Sequence, residues 1–384
     1  MVVSSFPYMI NRFIVGIILI FSLFFSLGCS REKKRDVIEL YQNSEFAVAR
    51  DTIRFPLDSV SIPLSHCFQI LPDKTKSMSF CFLNEFEPTV EVYDYGSCAL
   101  VNKVDLSKFL LSDRLQGFFF DRDTIFTYEY TQRVLSKLFE DKMLYRKYLA
   151  PHNNMFSMRP TPFVSTATPM LHIDSLVVFS GLIAGEPPLL ETSTNRPGII
   201  IYNEKKDSTY YAVNYPEVYQ KYNWGGGLTY RTPYYSRTLD GGKIVVSFPA
   251  CDELYVYDLA DGTIKTYDSG IYYGEQIKPF SKIKKTVSSA DEFLWYMNNI
   301  SYEGIFSNPY KKCYYRIVRF PYSKYKLEDR VNKKPTQIMV MDESFEVTDI
   351  YRLPENTYSP NNAFVTENGL SIQVLTANED EIVF

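Results

Sequence analysis

The sequence predicts an all-β protein, a six-bladed β-propeller, and three observations carry that expectation. Aromatic residues make up 16% of the chain, with 31 Tyr and 28 Phe, and such side chains favour half-buried pleated surfaces. Short runs of β-branched and aromatic residues are separated by Asp-Gly and Gly-Gly turns, which supply the positive φ of tight hairpins. The runs recur in groups of four, and four short antiparallel strands in a meander make one propeller blade.

The clearest group spans 234–269. It reads as Tyr234 to Arg237, a turn at Asp240-Gly241-Gly242, then Lys243 to Phe248, Leu254 to Asp258, a turn at Asp261-Gly262, and Thr263 to Tyr267. The pattern returns with a third strand at Val90 to Asp94 and a fourth at Ala99 to Val104. It returns again with Ser175 to Phe179, Gly198 to Tyr202 and Thr209 to Val213, and with Tyr314 to Phe320, Gln337 to Asp342 and Phe345 to Arg352. Thr124 to Tyr130 and Val134 to Phe139 make a weaker copy. Second strands therefore begin near residues 77, 124, 176, 243, 313 and 370, more widely spaced than minimal blades of about 40–45 residues. The last copy stops one strand short, and the run around Ile53-Arg54-Phe55 is expected to supply it, closing the ring with an N-terminal strand. Seven blades is the alternative count, if 270–300 hides another. That region reads instead as a short helix on a between-blade connection, with Ser289-Ala290-Asp291-Glu292 as its capping box.

The first residues carry a different signal. Arg12 is the only charged side chain before the apolar run Phe13 to Leu27, which is too short to span a bilayer and fits a signal peptide. It ends in Ser26-Leu27-Gly28-Cys29-Ser30, similar to a bacterial lipobox in which the Cys is lipidated and becomes the new N-terminus. The expected organisation is a lipoprotein signal peptide over 1–28, a lipid-anchored tether over 29–45 and a propeller domain over 46–384. The expected location is the bacterial cell envelope, anchored in the outer membrane and facing the periplasm. The membrane is then a partner through the lipid alone.

Composition excludes some functions. The net charge of −4 offers no basic excess with which to neutralise nucleic-acid phosphates. Five further cysteines, Cys67, Cys81, Cys98, Cys251 and Cys313, form no CxxC pair, and are expected as small buried hydrophobes or with one bridge among the first three. The three histidines, His66, His152 and His172, lack metal-ligand spacing. No GxSxG or SxxK motif is present. Carboxylates such as Asp73, Glu87, Asp240, Asp252 and Glu303 could be paired on paper, but spacing alone places no two of them together. Neither cofactor nor metal is expected, and the motifs leave enzyme activity open while leaning against it.

The positive clue is geometric. The long segments, 181–197, 214–232, 270–299 and 321–335, all join second to third strands or one blade to the next, and in a propeller those connections open onto one face. Within them Tyr222, Trp224, Tyr230, Arg231, Tyr234 and Arg237 form a candidate binding face, because Trp, Tyr and Arg dominate binding hot spots. The competing reading is that these rings pack between blades.

The lipobox-like end at Cys29, the strand Val256-Tyr257-Asp258 and the segment Asn308-Pro309-Tyr310-Lys311-Lys312-Cys313-Tyr314-Tyr315-Arg316 resemble a bacterial lipoprotein family, domain of unknown function 4221, related in form to TolB-like six-bladed propellers. The resemblance implies fold and compartment and brings no active site. The expected function is a binding or scaffold module for an envelope protein, peptide or glycan on the long-loop face. The alternative is a propeller hydrolase or lyase acting on a polysaccharide.

Overall fold

Twenty-five strands organise the computed structural model, which describes residues 52–61, 63, 65–72, 78–112, 114–149, 160–182, 196–225, 229–270, 277–280, 288–321 and 334–384. The signal peptide, Cys29, the tether and His152 lie outside the described residues. Strand β1 (Arg54–Pro56) comes first and belongs to the last sheet. Blade 1 is β2 (Phe68–Pro72), β3 (Met78–Asn84), β4 (Thr89–Asp94) and β5 (Leu100–Asp105). Blade 2 is β6 (Gly117–Asp121), β7 (Thr124–Glu129), β8 (Val134–Phe139) and β9 (Lys142–Tyr148). In blade 3 the first strand comes in two pieces, β10 (Thr161–Phe163) and β11 (Leu171–Ile173), both paired with β12 (Leu176–Leu182), followed by β13 (Pro197–Asn203) and β14 (Ser208–Asn214). Blade 4 is β15 (Tyr234–Arg237), β16 (Lys243–Ser247), β17 (Glu253–Asp258) and β18 (Ile264–Asp268). Blade 5 is β19 (Ser301–Asn308), β20 (Cys313–Arg319), β21 (Thr336–Met341) and β22 (Val347–Arg352). Blade 6 joins β23 (Tyr358–Thr366), β24 (Gly369–Val374) and β25 (Glu381–Val383) to β1, with Arg54 opposite Val383 and Pro56 opposite Glu381.

Each sheet is an antiparallel meander, so the described residues form six sheets. First strands of neighbouring blades lie side by side, β15 against β19, β19 against β23, β23 against β2 and β2 against β6, and the sixth blade thereby meets the first. Outer strands such as β5 and β18 are largely exposed, whereas central strands such as β16 and β21 are almost wholly buried. Apolar burial between blades therefore holds the ring, at about 25 cal/mol per Å² removed from water. The hairpin turns follow the sequence: Gly241 and Gly262 both sit at φ +77°, which an L side chain rarely adopts. Aspartates finish several turns, as where Asp342 Oδ1 accepts the amides of Ser344 at 2.9 Å and Glu346 at 3.0 Å.

Residues 164–170, between the two halves of the divided first strand, fill the middle of the ring. Thr166 donates its amide to His66 O at 2.7 Å, and its Oγ1 accepts the Phe68 amide of blade 1 at 3.0 Å. Val164 lies so close to blade 2 that a Cβ on Gly117 would come within 2.3 Å of it. Tyr235 of blade 4 donates to Pro169 O, and Ala167 joins the apolar cluster built by blades 4 to 6. One insertion from blade 3 thus touches blades 1, 2 and 4 and reaches the shared core of the rest.

Two helices occupy the connections flanking blade 4, α1 (Glu217–Lys221) before it and α2 (Ser289–Met297) after it. The cap of α2 is Ser288, one residue earlier than the capping box read from sequence. Ser288 is the extended residue at φ −69°, ψ 149°, and its Oγ accepts the Asp291 amide at 3.1 Å, so Ser289 already belongs to the first turn.

Candidate functional site: the long-loop face and its anchors

In these meanders the first-to-second and third-to-fourth connections open on one face, hereafter the short-turn face. Second-to-third and between-blade connections open on the other, the long-loop face, and the longest ones (183–196, 215–233, 269–300 and 320–335) are all of those two kinds. The connections flanking blade 4 dock on each other through aromatic rings. Trp224 stacks on Tyr230 at 5.7 Å and lies 6.2 Å from Trp295, while Tyr230 and Trp295 are 4.5 Å apart. Trp224 Nε1 donates to Val218 O at 2.9 Å, and Tyr230 OH donates to Ile300 O at 2.6 Å. Gly225, at φ +74°, lets the backbone pass Glu292, which a Cβ would approach to 2.4 Å. Together they make a cap over blade 4.

Under this cap lies a buried charged cluster. The first strands of blades 5 and 6 are bulged, between Tyr302 and Ile305 in β19 and between Ser359 and Ala363 in β23, and bulges re-aim side chains. Glu303, 3% exposed, accepts from Arg319 Nε at 2.9 Å and Asn361 Nδ2 at 2.7 Å on one oxygen, and from Tyr296 OH of α2 at 2.9 Å on the other. Arg319 Nη1 donates to Thr336 Oγ1 at 2.6 Å. Lys334 Nζ reaches Asn299 O and Ser301 Oγ and sits 4.1 Å from the Tyr296 ring centroid. Burial alone would raise the Glu303 carboxyl, but Arg319, helped by Tyr296 and Lys334, holds it below the usual carboxylate range. Burial pushes the Lys334 ammonium well below its ordinary value. The cluster ties the foot of α2 and the base of the 320–335 connection to the inner strands of blades 5 and 6.

A second anchor lies between blades 4 and 5. Arg316 is fully buried and donates to Cys251 O at 2.7 Å, Asp252 O at 2.7 Å, Ser269 O at 3.3 Å and Ser247 Oγ at 2.9 Å, with its guanidinium 3.6 Å over the Tyr302 ring. It fixes the base of the 269–300 connection.

The six residues singled out from sequence do not form one surface. Trp224, Tyr230 and Tyr234 are buried in packing, while Tyr222 and Arg231 are half-buried. Arg237 is exposed at the far end of β15, where its Nε donates to Gly241 O at 2.7 Å on the short-turn face. The rings of the cap satisfy each other, because two loops meeting over a blade bury aromatics as well as a partner would. Exposed apolar side chains on the long-loop face lie elsewhere, over blades 1 and 2, at Val60 (47%), Phe86 (70%), Leu111 (44%) and Tyr130 (39%). They lie outside the longest segments: Phe86 and Tyr130 on short second-to-third turns, Val60 and Leu111 on the between-blade connections 57–67 and 106–116.

The remaining candidates have partners. His66 Nδ1 pairs with Glu85 at 2.5 Å, and His172 lies between Asp121 and Glu204, each at 2.6 Å. All five described cysteines are free thiols, and burial pushes Cys67, Cys81 and Cys251 up to about 12. Among the described residues no three His, Cys, Asp or Glu side chains group as metal ligands.

A ring of six antiparallel blades with its long connections on one face defines a six-bladed β-propeller. The model of the family described as domain of unknown function (DUF4221) matches residues 43–349. The chain belongs to that family. A DUF4221 member from Bacteroides vulgatus is similar in structure, with a TM-score of 0.72 at 18% identity over 88% of this chain and 96% of that one. A Bacteroides fragilis protein provisionally named as exported superposes with a TM-score of 0.53 at 12% identity, covering 84% of this chain and 83% of its own. No curated protein matches the sequence.

Proposed function

We propose that this propeller is an exported, lipid-anchored binding module that holds a protein, peptide or glycan on its long-loop face. The observation that carries the reading is that the longest connections share one face while their bases are fixed by Glu303–Arg319 and by Arg316. Loops on a rigid ring are the usual way a repeat fold presents a binding surface. Export and anchoring rest on the run Phe13 to Leu27 and on Cys29. The hydrolase or lyase alternative gains nothing: a glycosidase acid needs a raised carboxyl, and the buried Glu303 is held low by an arginine.

The test replaces two exposed side chains, Phe86→Asp with Tyr130→Asp, in protein extracted from its native membrane, with Arg237→Ala on the opposite face as control. A retained protein or glycan that disappears with the double change, at unaltered melting temperature, and survives the control supports the reading. Retention unaffected by the double change sinks this placement of the face.

A further inference from the structure

One face of blade 2 gathers buried polar atoms that the protein itself does not satisfy. Strand pairing sets Thr127 of β7 opposite Ser136 of β8, and Ser136 opposite Arg146 of β9. Directly paired residues project to the same side of a sheet, so the three form a row across the blade. Glu129 lies two residues beyond Thr127 on β7 and shares that side. Gln116 lies two residues before Phe118, the partner of Thr127 on β6, and its amide donates to Tyr128 O at 3.0 Å. Thr127 Oγ1, Ser136 Oγ, Arg146 Nε, Glu129 Oε1 and Gln116 Oε1 have no hydrogen-bond partner in the protein. They are five of the seven such buried side-chain atoms among the described residues. Thr127 and Glu129 are 0% exposed and Ser136 is 1% exposed. An unpaired buried polar atom is costly, so five on one face call for a shared partner.

The same face carries segment 109–112 of the connection between blades 1 and 2. Glu129 Oε2 accepts the amides of Leu111 at 2.8 Å and Ser112 at 2.9 Å and the Ser112 hydroxyl at 3.0 Å, while Arg146 Nη2 donates to Phe109 O. Each of these two side chains grips the segment with one atom and leaves another without a partner. The chemistry of the set selects the ligand. Arg146 opposes a cation and the Glu129 carboxylate opposes an anion, so the ligand is neutral. It must donate to the Glu129 and Gln116 oxygens, accept from Arg146 Nε, and do either at the hydroxyls. Full burial of Thr127, Glu129 and Ser136 limits it to the size of water. We propose that this face of blade 2 holds a file of internal waters, one of them bridging Thr127 Oγ1 and Ser136 Oγ, which completes the attachment of segment 109–112 to the blade. Cβ atoms of directly opposed residues lie about 4.5–5.5 Å apart, and a water about 2.8 Å from each hydroxyl spans such a gap. The site stands apart from any reading of the long-loop face.

The test reads the sign of a stability change in the full chain. Thr127→Val keeps the branched shape and removes the hydroxyl, and Ser136→Ala removes the hydroxyl opposite. Where the hydroxyls hold water, each change strips a bond from a water that stays buried, so the urea midpoint is expected to fall at unaltered slope. Where they are dry, an apolar group relieves an unpaired one and the midpoint rises. A midpoint that rises or holds in either variant overturns the proposal. The unsubstituted chain supplies a second reading that does not depend on the variants folding. A crystal structure at a resolution that shows internal waters is expected to place one within hydrogen-bond distance of both Thr127 Oγ1 and Ser136 Oγ. Internal waters resolved elsewhere with none at these two atoms, or an ion of either sign in that place, overturn it.

Discussion

A carboxylate sealed from water stays ionised only where donors and cations surround it, and Glu303 has Arg319, Asn361 and Tyr296. Because its folded-state pKa lies below the ordinary carboxyl value of about 4.3, its contribution is fully present above that pH. The contribution is lost as pH falls through the lower, folded value. Glu303→Gln should cost about 3 kcal/mol at neutral pH, since it strands Arg319, and should flatten the acid limb of stability below about pH 4.3. Urea midpoints from pH 7 down to pH 3 read both effects, and an unchanged acid limb would discount the coupling. At this scale the sequence was least informative. Composition marked Trp224 and Tyr230 as partners for a ligand, yet a ring facing another loop and a ring facing a ligand are the same residue type in the same kind of segment. Glu303 was one carboxylate among five until bulges in β19 and β23 brought Arg319 and Asn361 to it.

The cap over blade 4 is an element with its own reporter, because the chain's two tryptophans, Trp224 and Trp295, both lie in it. Trp224→Ala removes a buried ring and should cost about 3–5 kcal/mol locally. In that variant the remaining Trp295 fluorescence is expected to change at lower urea than the far-ultraviolet signal of the strands. Coincident transitions would make the cap inseparable from the ring. Second strands were legible at nearly their true starts, since β16, β20 and β24 follow sharp turn signals. First strands were harder. Strand β6 was missed, and the pair β10 and β11 was invisible, because an interruption at 164–170 destroys the two-residue alternation by which a strand is recognised.

Across the whole molecule, the six sheets follow from periodicity, while antiparallel pairing fixes which connections share a face and the sequence sets which of them are long. The sixth sheet draws strands from both ends of the described chain. Deleting residues 1–57 removes β1 and leaves the edge of β25 unpaired, so on size exclusion the truncated protein should self-associate more than a chain that keeps residues 46–384 at the same concentration. A monomeric, fully folded truncation would count against that role for β1.

The segment 164–170 gives the ring an unequal division of labour. A wheel whose hub grows from one spoke can trade or duplicate its other spokes, but not that one. In this chain blade 3 is the repeat whose loss would strip contacts from blades 1, 2 and 4 at once.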